Sequence, residues 1–322
     1  MSDAPALVVE NLSLAIGPAG LVDGVGFQVA PGEVMAIVGE SGCGKSVTAQ
    51  AIMRLLPDAI RQTGGRILLG GRDISAIPER AMRAVRGQLM SMIFQEPQAA
   101  LDPLTTVGSQ IAEALRQPLG RVRGEVLRML RDVGISDPER RIDQHPFELS
   151  GGMCQRIMIA SALISRPAVL IADEPTTALD VTIQAQILDL LRRLAIERQT
   201  AVVLITHDMG VVADIADRMA VMYAGRIAEA GPTAEIFAAP RHPYTALLLA
   251  SIPRLSDVPK SKLAVIEGRV PNPSEFGPGC RFASRCPRAD ARCAAETPPL
   301  RPLGAGRLTA CFHAEPPHGT QP

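Results

Sequence analysis

The sequence predicts an α/β fold in which parallel strands carry an anion-binding loop, and three observations predict it. Short Val- and Ile-rich runs bounded by turn residues alternate with longer helical patterns. A glycine-rich loop leaves one of these runs and opens a helix, and two adjacent carboxylates close another run.

Taken in order, Leu7–Ile16 and residues 25–30 read as an amphipathic pair joined by Gly-rich turns. Val34–Val38 is almost wholly apolar, as expected of a parallel strand covered on both faces, and a helix is expected from near Val47. Residues 99–168 carry helical periodicity broken at Gly120, Gly134 and Pro138, with no convincing strand. Strands return at residues 169–172 and at Ala201–Thr206, and residues 219–230 read as a hairpin turning at Ala224-Gly225. After Gly231 prolines multiply, and from Asn272 onward little periodicity survives. The expected layout is a main domain over residues 1–235, with an antiparallel flank and a helical subdomain at about 97–168. A small irregular Cys-containing C-terminal region covers residues 236–322.

Composition narrows the function classes. The 322 residues are 47% hydrophobic with a formal net charge of zero, and no long basic run gives the footprint of a nucleic-acid binder. No run approaches the roughly 20 apolar residues that span a bilayer, and the start MSDAPALVVEN lacks a signal-peptide pattern, so the chain is expected in the cytoplasm. Cytosolic cysteines are expected to be free, catalytic or metal-bound. Cys43 and Cys154 stand alone, whereas Cys280, Cys286, Cys293 and Cys311 crowd near the end.

Gly39-Glu40-Ser41-Gly42-Cys43-Gly44-Lys45-Ser46, followed by Val47, fits a phosphate-binding loop between strand and helix. Its glycines let backbone N–H groups turn toward phosphate oxygens, Lys45 reaches the terminal phosphates, and Ser46 can ligate Mg²⁺. Only three lysines occur in the chain, and one stands here. Asp173 and Glu174 leave an apolar strand with side chains in different directions. The first is suited to Mg²⁺ and the second to the water that attacks a γ-phosphate. Ser150-Gly151-Gly152-Met153, ahead of a helix expected near Gln155, makes a second anion site. An ordinary serine-capped turn is the plainer reading of that element in isolation.

With GESGCGKS, LSGGM, VLIADE, Thr177-Ala178-Leu179-Asp180, Gln95 and His207 in this order, the sequence resembles an ABC ATPase over residues 5–235. The resemblance implies that Gln95 senses Mg²⁺ and the attacking water, and that His207 contacts the γ-phosphate. It also implies a head-to-tail dimer in which Ser150 and Gly152 of one subunit close over ATP held by the other. Where the family usually stacks an aromatic on adenine, this chain has Leu14-Ala15-Ile16. Met153 and Cys154 replace the usual Gln and Arg of the signature.

The stretch from Met92-Ile93-Phe94-Gln95-Glu96-Pro97 to Val107-Gly108, with His242-Pro243-Tyr244-Thr245, resembles the peptide and nickel importer group. The segment from Glu96 to Val107 is the expected docking surface for a membrane subunit. The tail GCRFASRCPRADARC and TACF resembles the C-terminal region of dipeptide and oligopeptide transporter ATPases. There, four such cysteines are associated with an iron-sulfur cluster, so the expectation is a 4Fe-4S cluster on Cys280, Cys286, Cys293 and Cys311, with zinc the alternative. The implied partners are two membrane-spanning permease subunits, a second related ATPase and an extracytoplasmic solute-binding protein, with the chain on the inner face of the cell membrane. Rival expectations are a soluble ABC ATPase acting on a macromolecular complex and an importer of nickel or another non-peptide solute.

Overall fold

The computed structural model describes residues 4–176, 180–252 and 266–314, apart from the side chains of Gln98 and Val181. In chain order the elements begin with β1 (Leu7–Ile16), β2 (Ala19–Val29), β3 (Val34–Val38), α1 (Lys45–Ile52) and β4 (Ile60–Leu69). Then follow β5 (Arg72–Asp73), α2 (Glu79–Val85), β6 (Met90–Ile93), α3 (Pro97–Ala100), α4 (Val107–Ala114), α5 (Leu119–Asp132) and α6 (Pro138–Arg141). Next come α7 (Gly151–Leu163), β7 (Val169–Asp173), α8 (Val181–Arg198), β8 (Ala201–Thr206), α9 (Met209–Ile215), β9 (Arg218–Tyr223) and β10 (Arg226–Pro232). The chain closes with α10 (Thr233–Ala238), α11 (Pro243–Ala250), α12 (Ala291–Ala295), β11 (Arg301–Gly304) and β12 (Arg307–Thr309).

These elements divide into two compact units. The first contains residues 4–8, 28–34 and 68–205 and is built on the parallel strands β6, β7 and β8. Every residue of these strands is buried, which explains their largely apolar sequence. The helical stretch lies in this unit. In α5 the buried residues Val126, Met129 and Leu130 recur at helical spacing, the period that revealed the helix in the sequence. In α4, Gly108 lets the backbone approach Ile142, whose side chain would lie 2.3 Å from an added Cβ.

The second unit contains residues 9–27, 35–67 and 206–314 of the described chain. One of its sheets runs β2-β1-β4, and the other runs β11-β12-β10-β9-β3. Strand β9 pairs parallel to β3 and antiparallel to β10, turning at Ala224-Gly225 as the sequence indicated. The irregular appearance after Asn272 conceals a small hairpin: β12 returns to pair with β10 through Glu229↔Thr309 and Ala230↔Leu308. Besides the two-residue β5, the strands β4 and β6 also escaped the sequence reading. One carries the Gly64-Gly65 pair and the other has four residues, so neither shows a clean alternation. Among the described residues no helix is long and apolar enough to cross a membrane.

Candidate nucleotide site

In the second unit, β3 delivers the chain directly into the glycine-rich loop. Gly39 has φ 150°, and a Cβ there would lie 2.2 Å from the Met222 carbonyl oxygen, so only glycine fits. Gly42 and Gly44 also have positive φ, and Gly44 is the N-cap of α1. Helix α1 begins at Lys45, two residues before the expected Val47. The Lys45 side chain is buried and its Nζ donates to the carbonyls of Gly39 at 2.8 Å and Glu40 at 3.0 Å, so the ammonium lies within the loop. Ser46 follows on the first turn, where its hydroxyl oxygen suits a hard cation. Ser41 is exposed, whereas Cys43 is buried and its carbonyl accepts from the Gly225 N–H at 2.9 Å. Burial pushes the Cys43 thiol up, which marks it as packing rather than as a nucleophile.

His207 belongs to the same unit and is exposed just after β8. The next residue, Asp208, caps α9 by accepting from the Gly210 and Val211 N–H groups, and its own N–H donates to Thr206 Oγ1. A short, fixed turn therefore presents the imidazole.

The carboxylates lie in the first unit. Strands β6 and β7 pair in parallel with Ile93 opposite Ala172, so Gln95 and Glu174 each stand two residues beyond a matched pair. The Gln95 Nε2 donates to Glu174 Oε2 at 3.1 Å. Asp173 is the buried last residue of β7. Glu174 takes a left-handed φ of 48°, uncommon for a non-glycine residue, with its N–H held by the Ile205 carbonyl at 2.8 Å. Asp173 is buried and Glu174 only half-buried, so the neighbouring carboxylates sit in different surroundings.

The signature turn also lies in the first unit. Helix α7 begins at Gly151, four residues before the expected Gln155, and Ser150 caps it by accepting from the Met153 N–H at 3.4 Å. Ser150, Gly152, Met153, Arg156 and Asp180 line a cleft of about 400 Å³. Asp180 caps α8 through the Ile183 N–H at 3.0 Å. Buried Gln155 donates to the Pro175 carbonyl, tying α7 to the turn after the carboxylates. Thr177, Ala178 and Leu179 lie outside the described residues.

The cysteine-rich segment belongs to the second unit. The Cys280 N–H donates to the Cys293 carbonyl at 2.8 Å, and the Cys293 N–H donates to the Asp290 side chain at 2.9 Å. Burial raises the Cys280 thiol, and the charges of Cys293, Cys286 and Cys311 raise it further. Among the described residues, the set whose ligand atoms all lie within 4.8 Å is Asp290, Cys293 and His313, which contains one of the four cysteines.

Tyr244 was quoted in the sequence as a group marker, but its role was not visible there. Its phenolic oxygen accepts from the Glu40 N–H at 2.9 Å, inside the phosphate loop. The one signal in the sequence was rarity, since the chain has two tyrosines; in the structure Tyr223 and Tyr244 pack together with ring centroids 4.7 Å apart. Arg285, which also reaches this loop, carried no signal.

The comparisons with known proteins agree with this geometry. Residues 22–177 match the ABC transporter family model, and residues 228–293 match the oligopeptide/dipeptide transporter C-terminal region. The dipeptide transport ATP-binding protein DppD of Bacillus subtilis is 51% identical over 296 residues, 89% of this chain and 88% of the relative. A probable peptide ABC transporter ATP-binding protein of Sinorhizobium fredii is 50% identical over 311 residues, 95% of this chain and 91% of its own length. Among solved structures, cbiO1 of Clostridium perfringens, part of an ABC transporter complex, superimposes with a TM-score of 0.62 at 29% identity. That match covers 73% of this chain and 91% of cbiO1.

Proposed function

This chain belongs to the ABC transporter ATP-binding family, and from that premise we propose that it hydrolyses ATP to power an importer of dipeptides or oligopeptides. The observation that carries the ATPase reading is the phosphate loop itself, with three positive-φ glycines around a buried lysine. The peptide reading rests on the C-terminal match and on the 51% identity to DppD. The same C-terminal match favours it over nickel or a soluble assembly.

The residues divide the work by their chemistry. The loop N–H groups from Gly39 to Ser46 and the start of α1 cradle phosphate, with Val47 continuing the helix, and Lys45 offsets charge on the terminal phosphates. Glu174 polarises the attacking water, and the amide of Gln95 fixes the orientation of that carboxylate. His207 contacts the γ-phosphate. Ser46, Asp173 and Gln95 offer the oxygen donors that suit Mg²⁺, whose charge would offset that on the transferred phosphoryl group and the departing ADP. Ser150, Gly151, Gly152 and Met153, with Asp180, would close over ATP held by a second ATPase subunit, homologous rather than identical. Transition-state charge would then meet fixed donors from both chains.

The division into residues 1–235 and a C-terminal extension over 236–322 is part of this proposal. Two permease subunits, an extracytoplasmic solute-binding protein and a position on the cytoplasmic face of the membrane complete the assembly. Support for docking comes from Leu104, 85% exposed within the expected surface, and Phe147, 73% exposed. Cys280, Cys286, Cys293 and Cys311 would hold a 4Fe-4S cluster, or zinc in its place. Support comes from the four-cysteine donor set itself, and bound metal would order a segment with few regular elements.

The test is anaerobic isolation of the chain with its partners from native membranes, followed by mass spectrometry and metal analysis. Recovery with two polytopic subunits, a second ATPase and a peptide-binding protein is expected, with iron bound. Recovery with soluble enzymes alone would overturn the transport reading, and a chain free of iron and zinc would overturn the metal centre.

A further inference from the structure

The nucleotide loop is held by a residue that no motif in the chain announces. Arg285 precedes Cys286 at the end of a single helical turn, Ala283–Arg285, and its side chain is 4% exposed. All five of its N–H donors are engaged. Nη1 and Nη2 grip the two carboxylate oxygens of Glu40 at 2.7 and 3.0 Å. Nη1 also donates to Tyr223 Oη at 3.2 Å, Nη2 to the Ile266 carbonyl at 3.1 Å, and Nε to the Glu267 carbonyl at 2.7 Å. A bidentate pair of this kind fixes both direction and distance.

Glu40 is the second residue of the phosphate loop and is held at three points. Arg285 takes its side chain, Tyr244 accepts from its N–H at 2.9 Å, and its carbonyl accepts from Lys45 Nζ at 3.0 Å. Displacing Glu40 therefore displaces an acceptor that sets the lysine. The clamp is braced from behind. Phe282, fully buried, packs edge-on against Tyr223 at 5.0 Å and lies against Tyr244 and His242. Arg281, next to Cys280, pairs with Asp23 at 3.0 Å and donates to the Ala224 carbonyl. The stretch between Cys280 and Cys286 thus sends Arg281, Phe282 and Arg285 to the neighbourhood of the loop.

We propose that Arg285 is a positioning residue for ATP binding, and that the cysteine-bearing segment sets nucleotide affinity by holding this arginine on Glu40. The inference needs the segment to be ordered, whether or not metal orders it. It asks only that Cys286 help to order the segment, through metal or through its own contacts, such as the Arg288 N–H that donates to its Sγ at 3.4 Å.

The test uses the full chain in Arg285→Ala, Arg285→Lys and Glu40→Gln variants, the double variant Arg285→Ala/Glu40→Gln, and Cys286→Ser in the wild-type and Arg285→Ala backgrounds. Binding of a fluorescent ATP analogue, KM, kcat and thermal midpoint are measured for each. Losing one partner of this bidentate charged pair, whose arginine is buried and whose glutamate is partly exposed, is expected to weaken MgATP binding about tenfold. That loss should appear in KM, leaving kcat within about threefold. The double variant should be no worse than the worse single, Arg285→Lys should recover part of the affinity, and Cys286→Ser should raise KM only where Arg285 is present. Three results would overturn the proposal: a lowered thermal midpoint with unchanged KM, strictly additive losses, or an equal Cys286→Ser effect in both backgrounds. Arg285→Lys and Glu40→Gln keep the test open should Arg285→Ala fail to fold. Metal content, read separately, bears on the metal centre alone.

Discussion

The phosphate loop and the signature turn are both anion sites at the start of a helix, yet they are held in opposite ways. The loop is braced by its surroundings: Lys45 is buried, Glu40 is gripped by Arg285 and Tyr244, and Cys43 is bonded to Gly225. The signature turn is braced by its own helix. Ser150 is exposed, and its hydroxyl holds the Met153 N–H, the third residue of the first turn. An anion site made rigid by the rest of its unit is ready to bind on its own. One that presents N–H groups at an open cleft suits the proposed role of meeting a ligand carried by another chain. The difference teaches which half of the chemistry an isolated subunit performs.

Chemistry should separate most sharply from binding at Glu174. Glu174→Gln is expected to lower phosphate release at least about 100-fold, the scale on which a single positioned group acts. ATP affinity should stay within about threefold, because Glu174 lies outside the loop that binds. Equal losses in both measurements would show that binding and chemistry are not separable along this line.

A smaller effect is expected at the signature. Gly151 has open space around it, and an acidic residue in the first turn of a helix favours the helix, so Gly151→Asp should fold normally. Its charge opposes a phosphate brought by a second subunit. Steady-state hydrolysis is expected to fall about tenfold, while ATP binding by the isolated chain and its thermal midpoint stay unchanged. Weakened binding in the isolated chain would mean that the two sites are not independent, and would break the contrast.

The smallest effect sharpens the contrast from the side of stability. His242 is 4% exposed, its Nδ1 accepts from the Tyr244 N–H, and burial lowers its pKa from 6.5 to about 4. Between these values the unfolded chain holds a proton that the folded chain lacks, so stability falls as pH drops through the window. Up to about 3 kcal/mol is at stake by pH 4. Denaturant midpoints taken from pH 7 to pH 4.5 should slide downward, and His242→Gln should flatten the slope. A flat wild-type profile would mean that the aromatic packing behind the loop tolerates the charge.

How much of this was legible in the sequence depended on whether a feature is local. Val34–Val38 and Ala201–Thr206 were read to the residue, because strands buried on both faces write themselves as unbroken apolar runs. The turn at Ala224-Gly225 and the loop glycines were legible because positive φ calls for particular residues. Strand β12 was not. Its three residues, Arg307, Leu308 and Thr309, acquire meaning only from their register against β10. Arg285 was hidden for a similar reason, since 245 positions separate it from Glu40 and no local pattern spans that distance. Ser150 was legible by type, although its helix begins four residues earlier than glycine propensity suggested.

The pairing of β12 with β10 also bears on how this chain can be cut. Strand β10 lies between β9 and β12, and residues 227–231 are buried. A fragment ending at the close of the ATP-binding sequence would strip one neighbour from that strand and leave a row of backbone donors and acceptors at an apolar margin. Such a margin recruits the nearest strand of another molecule. What reads in sequence as a dispensable appendix is, for the sheet beneath it, the selvedge that keeps the fabric from fraying.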